Sequence, residues 1–248
     1  MAYNPLHGGR VFREEFSMSA GCVLVYSRFP ELGRVKTRLI PALSAEGATA
    51  IHRGCLRATW ARWQGVVGDG LILVGTPDGR EADFGELLGG EGGLRFWAQG
   101  GGDLGERLRR GFDRAFAAGY ESVVAIGTDS PTLPASEMAG AFEGLSAHEA
   151  VLGPAEDGGY YLIGLRRFEP ALFKDVAWGS DAVLSTTLTT AGRLNLSVGL
   201  LAPWYDVDTP ADVKRLRREL RARSDLCPAE QELLESLGAV NESADLAG

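Results

Sequence analysis

Cys22-Val23-Leu24-Val25-Tyr26 runs directly into Ser27-Arg28-Phe29-Pro30-Glu31-Leu32-Gly33-Arg34-Val35-Lys36-Thr37-Arg38-Leu39. The first five residues form a compact, β-rich apolar run without polar alternation. That is the pattern of a strand buried on both faces at the centre of a sheet. The stretch that follows is a loop. Pro30 and Gly33 set a rigid turn with room for close backbone approach, and Arg28, Arg34, Lys36 and Arg38 place four cations in it. Read as extended backbone, Lys36 and Arg38 point to the same side. Cations at a strand's carboxyl end can neutralise a di- or triphosphate and stabilise charge that develops in phosphoryl or nucleotidyl transfer. A solvated basic loop, or Arg38 paired structurally with a carboxylate, is the alternative. The stretch lacks the G-x-x-x-x-G-K-[ST] spacing of a Walker A loop.

The rest of the chain alternates short apolar runs with helical periodicity. Strands are expected at 71–74, 94–97, 123–126, 150–152 and 160–163, with another near 195–201. Helices are expected at 44–64, 103–118, 134–146, 180–191, 209–223 and 228–238. This order argues for an α/β fold, a mostly parallel mixed sheet flanked by helices on both faces. Ligands in such folds sit beyond the carboxyl ends of the strands, and the unusual local chemistry of this sequence collects at those points.

The chain of 248 residues is long enough for one well-buried core. Residues 21–240 are expected to form one domain, and residues 1–20, polar and broken by Gly8-Gly9, a flexible extension. The net charge of −8 argues against nucleic acid as a partner. No apolar run approaches the roughly 20 residues needed to cross a bilayer, so no membrane partner is expected. Cys22, Cys55 and Cys227 are far apart, as are the three histidines, which disfavours a zinc site or a disulfide framework and suits a reducing cytoplasm. The oligomeric state is not legible.

Three further stretches carry chemistry. Gly127-Thr128-Asp129-Ser130-Pro131 follows a buried strand and puts Asp129 where a carboxylate can hold Mg²⁺ beside phosphate oxygens, or can simply cap a turn. In Asp206-Val207-Asp208-Thr209-Pro210, the two acids share one face of an extended segment. Thr209 or Asp208 can cap the next helix with Pro210 in its first turn, and Asp129 with Asp208 make a reasonable pair for one cation. In Glu156-Asp157-Gly158-Gly159, Asp157 can orient an acceptor hydroxyl, act as a base or make an Asx turn. Gln99-Gly100-Gly101-Gly102-Asp103 leads into a helix. It can lie against a nucleobase or ribose, or be a plain loop with Asp103 as N-cap.

Taken in order, R-F-P-x-x-G-x-V-K-T-R-L, Q-G-G-G-D-L-G-E-R-L, I-G-T-D-S-P-T-L, L-G-P-A-E-D-G-G-Y-Y-L-I-G-L and D-V-D-T-P-A-D-V resemble the DUF2064 family. These are proteins of the GT-A, or nucleotide-diphospho-sugar transferase, fold, often labelled glycosyltransferases. They are related to 2-phospholactate guanylyltransferase and to MobA-like nucleotidyltransferases. The resemblance covers about residues 21–220, with Arg28 standing where a lysine is expected. It implies that Lys36 and Arg38 bind phosphates, with Arg28 and Gly33 beside them, and that Asp129 and Asp208 hold Mg²⁺ (or Mn²⁺). It further implies that Gln99, Gly102 and Asp103 lie near base or ribose, and that Asp157, Gly158 and Gly159 face the second substrate. The partners implied are an NTP or an NDP-sugar and a small-molecule acceptor. Nucleotidyl transfer and glycosyl transfer are both open, and a non-catalytic nucleotide-binding sensor or partner subunit is the alternative.

Overall fold

The pleat of the opening strand organises the molecule. In β1 (Gly21–Arg28), seven of the eight residues are buried. Cys22, Leu24 and Tyr26 point to one face of the sheet, where they meet Leu108 and Phe112. Val23 and Val25 point to the other, against Leu56, Trp60 and Met138. A strand with period two can bury both faces only if helices cover both sides. The computed structural model describes residues 21–89 and 93–245; the expected extension at 1–20 lies outside the described residues.

Seven strands form one sheet in the order β3-β2-β1-β4-β6-β5-β7. They are β1, β2 (Leu71–Thr76), β3 (Phe96–Ala98), β4 (Ser122–Ile126), β5 (Ala150–Pro154), β6 (Tyr160–Leu165) and β7 (Val198–Leu200). β6 runs antiparallel to both its neighbours, and the other pairs are parallel. The reason is local: β5 and β6 are joined by a turn too short for a parallel crossover.

Helices α1 (Ile40–Val67), α2 (Glu81–Leu88) and α4 (Ala135–Ala147) cover one face. Helices α3 (Leu104–Ala117) and α5 (Val183–Arg193) cover the other. A third cluster joins Ile51 and Cys55 of α1 to α6 (Pro210–Ala222) and α7 (Pro228–Asp245) through Val213, Leu216, Leu233 and Leu237. No helix among the described residues is long and apolar enough to cross a membrane.

The expected elements appear with shifted ends. α1 begins at Ile40, but its backbone breaks at Ser44 (φ 65°), whose Oγ accepts from the Gly47 amide at 3.3 Å, so the uninterrupted helix starts where the sequence placed it. α5 starts at Val183 rather than 180, because residues 177–182 form turns in which Ser180 Oγ accepts from the Ala182 amide. The edge strands β3 and β7 keep only three residues each. In β2, a methyl on Gly75 would overlap the rings of Phe96 and Phe84. Gly75→Ala is therefore expected to lower stability by about 1–3 kcal/mol in urea unfolding; an unchanged midpoint would show that the rings move aside freely.

Candidate functional site

The strand order reverses between β1 and β4, whose carboxyl ends lie side by side, with Val25 paired to Ile126. Loops leaving such a switch point diverge and open a crevice. A cleft of about 410 Å³ lies there, lined by the first loop, by the residues after β4 and by the start of β6.

The basic wall is shaped by its backbone. Gly33 has φ 70°, and the Arg34 amide donates to Glu31 O at 3.0 Å. Lys36 itself is left-handed (φ 46°, ψ 42°), and Thr37–Leu39 form a single tight turn. A lysine at positive φ is strained, and the buried side chains of Val35 and Leu39 on either side hold it there. The loop is fastened at its base by Phe29, which meets Phe84 edge-on at 5.2 Å and lies under the Arg80 guanidinium. From α1, His52 Nε2 donates to Arg28 O at 2.9 Å.

This turn corrects the extended reading of Lys36 and Arg38. Their side chains part company: that of Lys36 is 2% exposed and that of Arg38 70%. They nonetheless converge on one carboxylate. Lys36 Nζ lies 2.5 Å from Asp129 Oδ1 and 3.3 Å from Asp208 Oδ1, and Arg38 Nη1 lies 3.5 Å from Asp208 Oδ2.

The acidic wall comes from two remote segments stitched together. The Val207 amide donates to Asp129 O at 2.8 Å. Ser130 Oγ lies 2.7 Å from Asp206 Oδ1 and 3.0 Å from Tyr205 O, donating to one at a time. Thr209, not Asp208, caps α6: it forms a capping box with Asp212, and Pro210 follows. Asp208 is thereby left free for the cleft.

Gln99, Gly102 and Asp103 are drawn into the architecture. Gln99 is buried, and its Nε2 donates to Ser27 O and Val74 O at 3.0 and 2.8 Å, tying the ends of β1 and β2 together. Asp103 caps α3 in a capping box with Glu106, and a side chain on Gly102 (φ 93°) would overlap the Glu106 carboxylate. From this stretch Leu104 lines the cleft. Asp157 is exposed and makes an Asx turn, its Oδ1 accepting from the Gly159 amide at 2.9 Å, while Gly158 (φ 89°) packs against the Asp181 backbone. Tyr160 and Tyr161, just after this turn, line the cleft, as does Arg28.

Reading residue by residue undervalues His52 and Asp206. Asp206 has a sequence signal, its alternation with Asp208. His52 has none, because its contact with β1 crosses 24 residues and it otherwise reads as part of the buried stripe of α1.

Electrostatics sharpen the picture. Burial works against the Lys36 charge, but Asp129 and Asp208 outweigh it and hold its pKa above the usual lysine value. Burial likewise opposes the Asp129 charge, and Lys36 prevails, holding the carboxyl below its usual range. Asp206 has no ion-pair partner among the described residues. Burial pushes it up to about 6; the Ser130 hydrogen bond opposes the rise, and the charges of Asp129, Asp157 and Asp208 add to it. Burial also lowers the His52 pKa.

Among the described residues no group of three or more His, Cys, Asp or Glu is arranged to hold a metal ion. An all-protein metal cage is therefore absent there. Two carboxylates converging on one cationic point, where the Lys36 ammonium now stands, do fit a hard divalent cation completed by phosphate and water oxygens.

Fold and topology define an α/β protein of the nucleotide-diphospho-sugar transferase type. Within that class the chain belongs to the DUF2064 family, described as "Uncharacterized protein conserved in bacteria", whose model matches residues 64–180. A crystal structure of a "putative nucleotide-diphospho-sugar transferase" from Desulfovibrio desulfuricans G20 is 33% identical, with a TM-score of 0.80, over 90% of this chain and 97% of that one. Two more distant structures share the fold. One is 4-diphosphocytidyl-2C-methyl-D-erythritol synthase from Anaerococcus prevotii DSM 20548 (13% identity, TM-score 0.55, 83% and 100% covered). The other is CMP:2-keto-3-deoxy-manno-octonic acid synthetase complexed with CTP (12%, 0.50, 82% and 99%). No curated protein matches the chain.

The raised Asp206 pKa has a definite sign. The native state binds this proton more tightly than the unfolded chain, so the stabilisation is complete below about pH 4 and is lost as pH rises through about 6. With chelator present, the stability of Asp206→Asn relative to wild type should improve by about 2–3 kcal/mol between pH 4 and pH 7. Denaturant titrations across that range check it, and a flat difference would contradict it.

Proposed function

We propose that this protein is a metal-dependent transferase that moves a nucleotidyl group from an NTP to a small-molecule acceptor. The observation that carries this reading is the division of the cleft: Arg28, Arg34 and Lys36 line it together with Asp129, Asp206 and Asp208. Arg28 and Arg34 form no ion pair among the described residues, and so are available to a polyanion.

On this reading Arg28, Arg34 and Lys36 bind the polyphosphate and stabilise charge as the acceptor oxygen attacks the α-phosphorus and pyrophosphate leaves. Gly33 lets the loop backbone approach the phosphates. Arg38, anchored on Asp208, orients that carboxylate. Asp129 and Asp208 would hold Mg²⁺ or Mn²⁺, which supplies Lewis-acid charge stabilisation when bound. Gln99, Gly102 and Asp103 shape the rim beside the base and ribose by fixing the strand ends and the start of α3. Asp157, Gly158 and Gly159 form the turn beside which the acceptor enters.

The relative at 33% identity, described as a nucleotide-diphospho-sugar transferase, favours a second reading, in which an NDP-sugar is the donor and NDP the leaving group. Thermal shift with Mg²⁺ separates the two. A cognate NTP at 100 times its Kd adds about 2.7 kcal/mol, or a Tm rise on the order of 5–10 °C, and pyrophosphate should appear when acceptor pools are added. Stabilisation by an NDP-sugar alone, with NDP released, would replace the first reading by the second. In either case Asp129→Ala should lose the metal-dependent part of the shift while remaining folded.

A further inference from the structure

The two carboxylates assigned to the divalent cation are already engaged. Lys36 Nζ reaches Asp129 Oδ1 at 2.5 Å and Asp208 Oδ1 at 3.3 Å, and its side chain is sealed to 2% exposure. A cation shared by both acids would lie within a few ångströms of Nζ, about the distance of an ion pair, and two positive centres that close repel strongly. Ammonium and metal ion are therefore alternatives at one place. The backbone of Lys36 is fixed by its left-handed turn between buried Val35 and Leu39. The exchange must then be made by the flexible four-carbon stem. Lys36 lines the cleft together with Arg28 and Arg34, which form no ion pair among the described residues, so a polyphosphate drawn to those guanidinium groups offers the ammonium new oxygens.

We propose that Lys36 is a built-in competitor of the divalent cation: its ammonium closes the carboxylate pair in the free protein and transfers to the polyphosphate when that ligand enters. The site then takes metal and polyphosphate as a coupled pair and the metal alone only weakly. This rests on the metal assignment of the proposed function, but it assigns Lys36 a positioning role that phosphate binding by itself does not require.

The test needs no turnover. Mn²⁺ alone is titrated into wild type, Lys36→Met and Lys36→Gln, with free Mn²⁺ read by electron paramagnetic resonance and folding checked by thermal unfolding. Both variants are expected to bind Mn²⁺ about tenfold or more tightly than wild type, and Asp208→Asn added to either should remove the gain. Variants that bind Mn²⁺ no better than wild type, or not at all, overturn the proposal. Should neither variant fold, wild type decides through the affinity of a non-hydrolysable NTP analogue. That affinity must rise about tenfold or more from EDTA to saturating Mn²⁺, and equal affinities overturn the proposal. Failure of the nucleotidyl-transfer reading would show separately, as missing pyrophosphate release, and would leave the Mn²⁺ comparison intact.

Discussion

One buried ammonium meets carboxylates from two remote stretches of chain. Lys36 leaves the first loop, and the carboxylates it reaches lie 93 and 172 residues further on. Without it, Asp129 would lose its ion pair and Asp208 would keep only the longer contact to exposed Arg38. With it, Asp129 keeps its charge, while burial raises the Asp206 pKa to about 6. Burying a lysine at positive φ is unfavourable taken alone. It persists because the carboxylates are held in place independently.

That independent support comes from the core. In Tyr205-Asp206-Val207-Asp208 the alternation of an extended segment sends Tyr205 and Val207 into the cluster between α1, α6 and α7, leaving Asp206 and Asp208 on the cleft side. Tyr205 is pinned further: its hydroxyl lies 2.7 Å from Glu219, and the Arg215 guanidinium lies 3.7 Å from its ring centre. The Val207 amide then joins this segment to the end of β4. Apolar packing thus sets the position of the charged groups, and the charged groups set the chemistry.

Much of this was legible residue by residue. The both-faces burial of β1, the turn at Pro30 and Gly33 and the capping of α6 all follow from local rules, whereas the sequence offers Asp129 and Asp208 as candidates for one cation without showing that they meet. The motifs at 99–103 and 157–159 were legible as special places, but their side chains turned out to serve the backbone: Gln99 joins strand ends, Asp103 caps α3 and Asp157 closes a turn. A glycine-rich acidic motif looks the same whether its polar groups meet a ligand or the neighbouring main chain. Periodicity could not expose His52 either, since a helix's buried stripe does not say which strand end it touches.

The sequence by itself determined the class of fold, the location of the chemistry at strand ends, and the residue types available there, because burial pattern, turn chemistry and capping act over a few residues. Only the tertiary structure decided that the first loop coils instead of extending, sealing Lys36 inward and leaving Arg38 in solvent. It alone decided that β6 takes its place between β5 and the edge of β4. The physical reason is the same in both cases: the outcome depends on which distant carboxylate or strand edge is available to satisfy a buried charge or a backbone hydrogen bond, and that is a property of the assembled chain.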